Sequence, residues 1–428
     1  MGRDRMLYNI TIMTKLSDLI NQYCPDGVEY VKLGEVAEIV RGKGLSKSVV
    51  SDDGDTNVIL YGELYTHYDG HAITSICSKS HADCMQNSTL LKYGDIIMPI
   101  TSTTKEAQIG IAAAYLVNED TYLGGDAVAW RHKQNPKYLM YLMNGAYFEY
   151  EKMQHRSGTT VSHLSPKGLA NITIPLPPLP VQEKIVEILD KFTALQTALQ
   201  TEQGLRQQQY EYYRDKLLSR DYLATLCPDG VEYVKLGDLC EMRNGYTPSK
   251  RNPDYWREDA TIPWFRMEDI RTNGHILDDS IQHVTPEAVK GGKLFPANSI
   301  ILATTATIGE HALITADSLA NQRFTYLTIR EPHQKHMLPM FLYYYMYIVD
   351  EQCKHNINES SFASVNMNWL KSCPIPIPPL PVQEKIVKIL DKFTALTTSL
   401  TDGLPAEIEL RQKQYEYYRD KLLTFKHK

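Results

Sequence analysis

The sequence lacks three features that would each indicate a particular class of protein. It has no run of about 18 apolar residues, so no membrane-spanning helix is expected. Basic residues do not dominate, because 45 Lys and Arg stand against 51 Asp and Glu, which gives a net charge of −6. The seven cysteines are odd in number and form no CxxC pair. This usage predicts reduced, buried thiols in a cytoplasmic protein and argues against a disulfide framework.

The motifs of several enzyme classes are also missing. The sequence contains no GxxxxGK followed by Ser or Thr, no HExxH, and no Pro-Pro pair followed by an aromatic residue. No lysine has an acidic residue two positions before it, as a PD-(D/E)xK nuclease would need. We therefore predict a chain without catalytic residues or metal ligands. A stand-alone nuclease with an unfamiliar site is an alternative, which Mg²⁺-dependent cleavage by the pure chain would support.

The chain is built from two copies of one repeat. Between near-identical blocks, the segments 35–175 and 238–376 have almost equal length but differ in most residues. Shared frames with divergent interiors indicate a common scaffold that carries two different specificities. The blocks are CPDGVEYVKLG at 24–34 and 227–237, PPLPVQEKIV at 177–186 and 378–387, and YEYYRDKLL at 210–218 and 415–423.

Each divergent segment is predicted to be a mixed domain of strands and helices. Short apolar runs such as 57–61, 95–98 and 299–302 are typical of strands. The stretches 136–151 and 337–353 are typical of helices. Each domain closes with a Pro-rich stretch, which predicts an edge strand or linker because proline has no N–H to donate.

A long helix is predicted after each Pro-rich stretch. Apolar residues fall on one stripe in each copy, which predicts two helices packed against each other. Gly204 and the segment 402–405 are the places where these helices are expected to kink or break. The stripes are Val181, Ile185, Ile188, Leu189, Phe192, Leu195 and Leu199 in the first copy, and Val382, Ile386, Ile389, Leu390, Phe393, Leu396 and Leu400 in the second.

This alternation resembles the DNA-specificity (S) subunits of type I restriction-modification systems over essentially the whole chain. The repeated blocks that open and close the long helices carry most of the resemblance. The stretch Gly245-Tyr-Thr-Pro-Ser249, followed by Tyr255-Trp256 and Ile262-Pro-Trp264, resembles the opening of a common target-recognition domain. The first domain has Arg41-Gly-Lys-Gly44 at that place, so a different target is expected.

The resemblance implies an α+β architecture. Two mixed α/β target-recognition domains are separated by two long antiparallel, coiled-coil-like helices, and the whole is related by an internal pseudo-two-fold repeat. The implied segments are an N-terminal segment 1–34, a first target-recognition domain 35–176, a central spacer helix 177–226, a second target-recognition domain with its repeated opening segment 227–377, and a C-terminal spacer helix 378–428.

The resemblance also implies a function. Each domain would read one half of a bipartite, asymmetric site in double-stranded DNA. The helices would set the spacing and dock two methyltransferase (M) subunits, which restriction (R) subunits then join. S-adenosylmethionine, ATP and Mg²⁺ would be used by those partners, with no cofactor bound by this chain and no membrane partner. The alternative is a scaffold protein that grips two protein partners and no DNA.

Two further features bear on that function. Related subunits carry a tetrapeptide repeat similar to the Thr-Ala-Leu-Gln pair at 193–200, which the resemblance implies is a spacer. Segment 35–175 has 12 Lys and Arg against 15 Asp and Glu, and segment 238–376 has 13 against 16. Because neutralisation of phosphates drives DNA affinity, each domain should bind weakly alone unless its basic residues cluster on one face.

The candidate base-reading residues lie in segments rich in side chains that bond to base edges. Arg and Lys suit guanine, Asn and Gln suit adenine, and Ser and Thr serve either. Ordinary turn chemistry is the competing explanation for each of them. The candidates are Arg41, Lys43, Lys47, Ser102, Thr103, Thr104, Lys105, Arg156, Thr159 and Thr160 in the first domain, and Arg243, Tyr246, Ser249, Lys250, Arg266, Thr304, Thr305, Thr307, Gln322, Arg323, Ser361 and Ser364 in the second.

Aromatic residues give a second set of candidates. Trp256 and Trp264 are of a type that stacks on bases, but core packing is the favoured interpretation. Cys24 and Cys227 share a repeated context and are expected to be buried thiols. The candidates for the methyltransferase interface are Tyr210, Tyr213, Tyr415 and Tyr418 on the long helices.

Overall fold

The chain divides into two compact units. Unit 1 comprises the described residues up to Ala198 together with Ile408–Lys428, and unit 2 comprises the described part of Leu199–Glu407. The first boundary between the units, after Ala198, falls inside the tandem Thr-Ala-Leu-Gln tetrapeptide at 193–200. The structure is a computed structural model that describes residues 16–85, 88–103, 108–358, 363–398 and 403–428.

Unit 1 combines short strands with helices that lie against its central sheet. Its helices are α1 (residues 16–23), α2 (Leu33–Val36), α3 (Glu63–Thr66), α4 (Pro136–Met143), α5 (Ala146–Met153), α6 (Pro166–Leu169) and the first part of α7 (Leu179–Leu218). Its strands are β1 (Tyr30–Lys32), β2 (Ala37–Arg41), β3 (Thr56–Ile59), β4 (Ser78–Ser80), β5 (Thr89–Leu90), β6 (Ile96–Pro99), β7 (Thr101–Ser102), β8 (Ala113–Ala114), β9 (Thr121–Leu123), β10 (Ala127–His132), β11 (Arg156–Ser157), β12 (Ser162–Leu164) and β13 (Thr173–Pro175).

The central sheet of unit 1 is antiparallel, with the strand order β2-β10-β6-β8. Alternate residues of a strand point to opposite faces of a sheet. In β6, Ile96 and Met98 therefore pack with the helices, whereas Ile97 packs with residues of a second sheet. Burial on both faces explains why this strand is a continuous apolar run in the sequence.

Three further sheets lie in the described part of unit 1. The second sheet has the order β4-β3-β9-β5, in which β3 and β9 are parallel, and a three-stranded sheet has the order β11-β12-β7. Strands β1 and β13 form a two-stranded ribbon in which Tyr30 lies opposite Pro175. The Pro-rich stretch is thus an edge strand, and this part of the prediction is confirmed.

Unit 2 repeats this plan with different residues. Its helices are the second part of α7, α8 (Arg220–Leu226), α9 (Leu236–Leu239), α10 (Met267–Asn273), α11 (Pro339–His355), α12 (Met367–Ser372), α13 (Leu380–Thr398) and the first residues of α14 (Leu404–Leu422). Its strands are β14 (Glu232–Lys235), β15 (Cys240–Asn244), β16 (Ile262–Phe265), β17 (Ile276–Leu277), β18 (His283–Val284), β19 (Ser299–Ala303), β20 (His311–Ile314), β21 (Leu319–Ala320), β22 (Phe324–Ile329), β23 (Ile357–Asn358), β24 (Ser364–Val365) and β25 (Pro374–Ile377).

The central sheet of unit 2 has the order β15-β22-β19-β20-β17. In β19, Ile300 and Leu302 pack with the helices, and Ile301 packs in a separate core with Trp264 and Phe265. A second sheet has the order β18-β16-β21, and the ribbon β14–β25 corresponds to β1–β13 of unit 1. The mixed α+β class predicted from the sequence is confirmed in both units.

The helical stretches predicted at 136–151 and 337–353, which we call the domain helices, differ between the units. The prediction of one helix over 136–151 is wrong. The structure breaks that stretch between α4 and α5, at Asn144 and Gly145. The Asn144 side-chain amide accepts from the N–H of Ala112 at 2.8 Å and donates to its carbonyl at 2.8 Å. This bond holds the end of α4 against the chain just before β8. In unit 2 the corresponding stretch is the single helix α11.

The long helices also differ between the copies. Helix α7 is continuous over 40 residues, about 60 Å, and passes through Gly204. In the second copy α13 ends at Thr398 and α14 begins at Leu404, with a bend at Gly403. The break predicted at 402–405 is confirmed, and the described part of the spacer predicted over 378–428 consists of two helices, whereas no break occurs at Gly204.

The predicted apolar stripes are buried or half-buried over most of their length. Val181, Ile185 and Leu189 are completely buried in unit 1, and Leu390 is completely buried in unit 2. Leu396 is an exception, because 39% of its surface is exposed while Thr397 beside it is buried. Leu400 lies outside the described residues.

A buried glutamine fixes the start of the long helix in unit 1. Gln182 is completely buried. Its side chain accepts from the N–H of Asn135 at 3.0 Å and donates to the carbonyl of Pro177 at 2.8 Å and to the Gln134 side chain at 3.0 Å. The repeated block is thereby bonded to the loop that leads into α4.

The same glutamine recurs in unit 2. Gln383 is also completely buried. It accepts from the N–H of Leu338 at 2.9 Å and donates to the carbonyls of His336 and Pro378, both at 2.7 Å. The identical residues of the two frames therefore make the same contact to two different domains.

A repeated aspartate adds a second contact to each domain helix. Asp190 accepts from the Tyr141 hydroxyl at 2.8 Å in unit 1. Asp391 accepts from the Tyr344 hydroxyl at 2.7 Å in unit 2. Burial raises the pKa of both tyrosines well above the usual value, so each stays protonated and donates at neutral pH.

The helices of unit 1 run antiparallel where they pack. Phe192 of α7 stacks on Tyr418 of α14 with a ring separation of 5.4 Å. One turn later on α7, Gln196 bonds to Gln412, which lies earlier on α14. This order is that of antiparallel helices, as predicted.

In unit 2 the equivalent packing is between α13 and the second part of α7. Phe393 of α13 stacks on Tyr213 of α7 with a ring separation of 5.6 Å. The closing block of each repeat thus lies beside the opening helix of the other repeat, which explains why both blocks are nearly identical in the two copies.

Substitution of the buried glutamine should destabilise unit 2. We expect Gln383→Leu to lower the free energy of unfolding by about 2–3 kcal/mol, because one buried backbone N–H and two carbonyls lose their partner. The midpoint of urea unfolding, followed by circular dichroism, measures the change. Glu384→Leu alters the exposed neighbour and should leave the midpoint almost unchanged. Equal shifts for the two variants would contradict the role of Gln383.

Candidate nucleic-acid interface

Four stretches of chain that are distant in sequence meet in unit 1. After β2 the N–H of Gly42 donates to the carbonyl of Ala127 at 2.9 Å. The N–H of Ile100 donates to the carbonyl of the neighbouring Asp126 at 2.8 Å. Strand β7, which follows Ile100, pairs with β12 and through it with β11. We call the described residues 41–47, 101–103, 124–126 and 156–162 loop cluster 1.

Unit 2 builds the corresponding group from unrelated side chains. The N–H of Gly245 donates to the carbonyl of Phe324 at 2.8 Å, and the N–H of Thr304 donates to the carbonyl of Arg323 at 3.0 Å. The N–H of Val365 then donates to the carbonyl of Thr304 at 2.9 Å. We call the described residues 243–250, 304–307, 321–323, 357–358 and 363–364 loop cluster 2.

A glycine is required where the backbones cross in each cluster. A Cβ atom on Gly42 would lie 1.8 Å from the carbonyl oxygen of Gly124. A Cβ atom on Gly245 would lie 2.4 Å from the carbonyl oxygen of Ala320. Both distances are shorter than any contact between such atoms, so this crossing excludes a side chain.

The structure brings most of the predicted base-reading residues into the two clusters. Those that are exposed there are Arg41, Lys43, Lys47, Thr103, Arg156, Thr159, Thr160, Ser249, Lys250, Gln322 and Arg323. Those that are half-buried there are Thr305, Thr307 and Ser364. Thr104, Lys105 and Ser361 lie outside the described residues.

Several other candidates are engaged in packing. The Arg243 guanidinium lies 4.3 Å from the ring centroid of Phe295 and donates to the carbonyl of Leu294 at 3.3 Å. Arg266 pairs with Glu268 at 2.9 Å at the start of α10. Each arginine is half-buried, so only part of its guanidinium remains for a ligand.

The remaining candidates support the loops from inside. Ser102 and Thr304 are buried, at 3% and 8% exposure. The Tyr246 hydroxyl accepts from the N–H of Lys290 at 2.9 Å. These side chains act on the shape of the clusters through their packing.

The two tryptophans hold the 245–249 loop. The indole N–H of Trp264 donates to the carbonyl of Tyr246 at 3.0 Å, and that of Trp256 donates to the carbonyl of Ser249 at 3.2 Å. The rings meet edge to face at 4.9 Å. Packing was the favoured interpretation, and the geometry agrees with it.

Sequence reasoning missed residues at the centre of loop cluster 1. Asp126 is exposed and has a φ of +60°, and its carboxylate accepts from the Thr101 hydroxyl at 3.0 Å. His163 lies 3.2 Å from the same hydroxyl. The signal that would have found Asp126 is its place after Gly124-Gly125, a turn that faces the Gly42 crossing.

A buried phenol supports the same strand. The Tyr65 hydroxyl donates to the carbonyl of Thr101 at 2.8 Å. Burial raises the pKa of Tyr65 to about 12, so the phenol remains a donor at neutral pH.

Comparison with known proteins identifies the family. Residues 25–207 and 228–410 each match the model of the type I restriction modification DNA specificity domain. The chain belongs to this family. Each match contains one specificity domain with its loop cluster and most of one spacer region.

Two relatives illustrate the similarity. The type I restriction enzyme EcoprrI specificity subunit of Escherichia coli is 52% identical over 203 residues, which cover 46% of this chain and 50% of that protein. The EcoR124I/EcoR124II specificity subunit of Escherichia coli is 38% identical over 302 residues, which cover 68% of this chain and 70% of that protein. The chain thus spans about half the length of the first and about 70% of the second.

A solved structure shares the fold. It is described as the structural basis of complex assembly and conformational transition of the type I R-M system, and it superimposes with a TM-score of 0.62 at 18% identity. The match covers 93% of this chain and 98% of that chain. At this identity the likeness shows the fold alone.

The two specificity domains collect positive charge in their clusters although each divergent segment is acidic overall. Arg41, Lys43 and Lys47 are exposed on the segment that follows β2. Lys250 and Arg323 are exposed in loop cluster 2. Each cluster thus has only a few exposed cations against the acidic excess of its segment.

In the first specificity domain a buried amine of α5 holds the segment just before β8. Lys152 is completely buried, donates to the carbonyl of Gly110 at 3.2 Å and pairs with Glu149. The Gln108 side chain donates to Glu149 at 2.8 Å. Burial lowers the pKa of Lys152.

In the second specificity domain a buried acid of α11 holds the start of β20. Asp350 bonds to Nδ1 of His311, and Nε2 of His311 donates to the carbonyl of Tyr343 at 3.0 Å. Burial raises the pKa of Asp350. The two domains therefore hold corresponding stretches of chain with an amine of the domain helix in one and a carboxyl group in the other.

The tyrosines of the closing blocks fall into two groups. Of the four predicted interface residues, Tyr210 is buried, Tyr213 and Tyr418 stack on phenylalanines, and Tyr415 packs beside Tyr141. The most exposed tyrosines of these blocks are Tyr212 and Tyr417, each 60% exposed. The assignment of these four tyrosines to a partner interface remains a prediction. Tyr212 and Tyr417 are further candidates because they are more exposed.

Other site types have little support among the described residues. No group of three or more His, Cys, Asp or Glu there lies close enough to hold a metal ion. No helix there has the length and apolar character needed to cross a bilayer. All seven cysteines are free, and five of them, including Cys24 and Cys227, are buried, whereas Cys77 and Cys84 are exposed.

A methyl group at the Gly42 crossing should displace loop cluster 1. We expect Gly42→Ala to lower the urea midpoint and to speed hydrogen exchange at the amides of residues 123–127, because a Cβ would overlap the Gly124 carbonyl. Gly125→Ala is the matched control, since a Cβ there meets nothing within 4 Å. Unchanged exchange in Gly42→Ala would contradict the steric requirement.

Proposed function

We propose that this chain is the DNA-specificity subunit of a type I restriction-modification complex, in which each loop cluster reads one half of a bipartite, asymmetric site in double-stranded DNA. The observation that carries the proposal is the pair of loop clusters. Both rest on the same backbone crossing and the same repeated frame, but their exposed side chains are unrelated. Such a pair suits two different half-sites read by one scaffold.

The chemistry of the exposed side chains supports DNA as the ligand. The clusters offer arginine, lysine, glutamine and hydroxyl groups, which bond to base edges and to phosphates. Each cluster carries only a few cations, and each segment has an excess of acids. We therefore propose that binding by the chain alone is weak and that partner subunits supply further positive surface.

The reactions themselves are assigned to partners. We propose that two methyltransferase subunits use S-adenosylmethionine, that restriction subunits use ATP and Mg²⁺, and that this chain supplies sequence recognition. The proposal rests on the resemblance and the family membership. It also rests on the missing catalytic motifs in the sequence.

The spacer helices provide the docking surface in this proposal. Tyr212 and Tyr417 occupy equivalent places in the two repeats and are exposed to the same degree. Lys216 lies 5.6 Å from the Tyr212 ring, and Lys421 lies 5.7 Å from the Tyr417 ring. Two identical surfaces suit two copies of one methyltransferase subunit.

The same tyrosines favour the alternative, a scaffold that grips two protein partners and no DNA. Exposed aromatic residues are common at protein interfaces. The alternative gives no role to the different side chains of the two clusters. Sequence-specific methylation by the reconstituted complex distinguishes the two functions.

Exchange of one specificity domain tests the proposal. We expect that replacing 238–376 with the equivalent segment of a related subunit changes one half of the methylated sequence and preserves the other. The unmodified complex with its methyltransferase subunit is the reference, and the pure chain should neither methylate nor cleave DNA. Sequencing of methylated DNA reports both half-sites. A simultaneous change of both half-sites, or methylation by the chain alone, would reject the proposal.

The tandem tetrapeptide is proposed to set the gap between the half-sites. Insertion of Thr-Ala-Leu-Gln after Gln200 adds about 6 Å of helix and turns it by about 400°, so the apolar stripe returns near its seam. We expect the nonspecific gap to lengthen by about one base pair, with both half-sites unchanged. Insertion of four alanines is the control for added length alone and should act in the same way. An unchanged gap in an active complex would show that the repeat is not a spacer.

A further inference from the structure

One backbone position at the centre of the two loop clusters carries opposite charges. Asp126 in unit 1 and Arg323 in unit 2 each precede the strand that pairs with both neighbours in the central sheet. The carbonyl of Asp126 accepts from the N–H of Ile100, and that of Arg323 accepts from the N–H of Thr304. The carbonyl of the next residue, Ala127 in unit 1 and Phe324 in unit 2, accepts from the N–H of the crossing glycine of that unit. Two independent hydrogen bonds therefore fix the equivalence.

Both side chains are exposed at this position. Thr101 and Thr305 of the adjoining segments also correspond, since Thr101 lies opposite His163 on β12 and Thr305 forms a bridge with Ser364 on β24. The shared position thus stands between the crossing loop and the Ser/Thr segment of each cluster.

A carboxylate in such a place has few partners on DNA. The phosphates repel it, and the sugar-phosphate backbone of DNA offers acceptors and no N–H donors. The donors of the major groove are the exocyclic amino groups of the bases, and the amino group of cytosine pairs well with Asp or Glu. Adenine presents its amino group beside the acceptor N7, which suits Asn and Gln better than a carboxylate.

An arginine in the same place has the opposite preference. Its guanidinium presents paired N–H donors that match O6 and N7 of guanine. It also binds phosphates without regard to sequence, so geometry alone does not separate the two roles.

We propose that this shared position determines specificity in both half-sites. Arg323 reads a guanine in the half-site of unit 2, and Asp126 reads the amino group of a cytosine in the half-site of unit 1. The inference rests on the proposed function, because it assigns bases to the clusters that the proposal places on DNA.

The test uses the full chain in complex with its methyltransferase subunit, with sequencing of the methylated DNA. Arg323→Gln should lose the requirement for guanine at one position of the unit 2 half-site, with discrimination reduced by about tenfold to a hundredfold. Asp126→Asn should lose the requirement for cytosine at one position of the unit 1 half-site and accept adenine there. In each variant the other half-site should stay unchanged.

Asparagine is the appropriate replacement for Asp126. It keeps an acceptor for the Thr101 hydroxyl and tolerates a positive φ, so the turn is preserved. Thr101→Val removes the hydroxyl bond but leaves the carboxylate. A purely local role for Asp126 would make Thr101→Val relax the same position, and that outcome would overturn the inference for unit 1.

Arg323→Lys and Lys371→Gln are the matched variants for unit 2. Lys371 is an exposed cation on α12 outside the cluster, and its removal should leave the motif unchanged. If Arg323 only contacts phosphate, Arg323→Gln will weaken methylation of all sequences without changing the motif, and Arg323→Lys will restore it. That result would overturn the inference while the proposed function stands. Failure of the unmodified complex to methylate any defined sequence would instead reject the proposed function.

Discussion

Both units depend on a buried side-chain amide at the start of a long helix. Gln182 and Gln383 satisfy one backbone N–H and at least one carbonyl each, in places that water does not reach. A buried polar group without a partner costs more than a normal hydrogen bond contributes, so this contact constrains the helix and the loop together. Most residues between the repeated blocks differ, whereas this loop, the crossing glycine and the tyrosine that donates to the repeated aspartate recur in both units.

This constraint separates support from recognition. The aspartate contacts and the aromatic seam are the same in the two units, as are the ribbons that close each domain. The anchors behind the loops are not: Lys152 serves one domain, and Asp350 with His311 serves the other. The two units thus hold corresponding stretches of chain by different side chains.

The sequence predicted the frame better than the recognition surface. The stripes of α7 and α13 and the Pro-rich edge strands follow from periodicity and from proline's missing N–H, which are local properties. The break at Asn144 depends on the backbone of Ala112, a residue 32 positions earlier, and no local pattern contains it. The sequence around the crossing glycine differs between the two domains, so the sequence did not show that Gly42 and Gly245 have the same role.

The candidate residues show the same limit. Arg243 and Arg266 look like ligand-binding cations in sequence, but an aromatic ring and a carboxylate engage them in the fold. Asp126 is marked in the sequence only by the preceding Gly124-Gly125, and its place in the cluster depends on a hydrogen bond that the N–H of Ile100 makes to its carbonyl. Tyr212 and Tyr213 are adjacent in the chain, and only the position of Phe393 decides which of them is covered.

The discontinuity of unit 1 has a consequence for synthesis on the ribosome. Its core includes Leu422 and Leu423, which are made more than 200 residues after Ala198. At about 5–20 residues per second, the delay is about 10–40 s. Unit 2 is continuous in sequence and is complete earlier, so the first domain to emerge is the last to close. During that interval the apolar residues of unit 1 that pack on Leu422 and Leu423 remain uncovered.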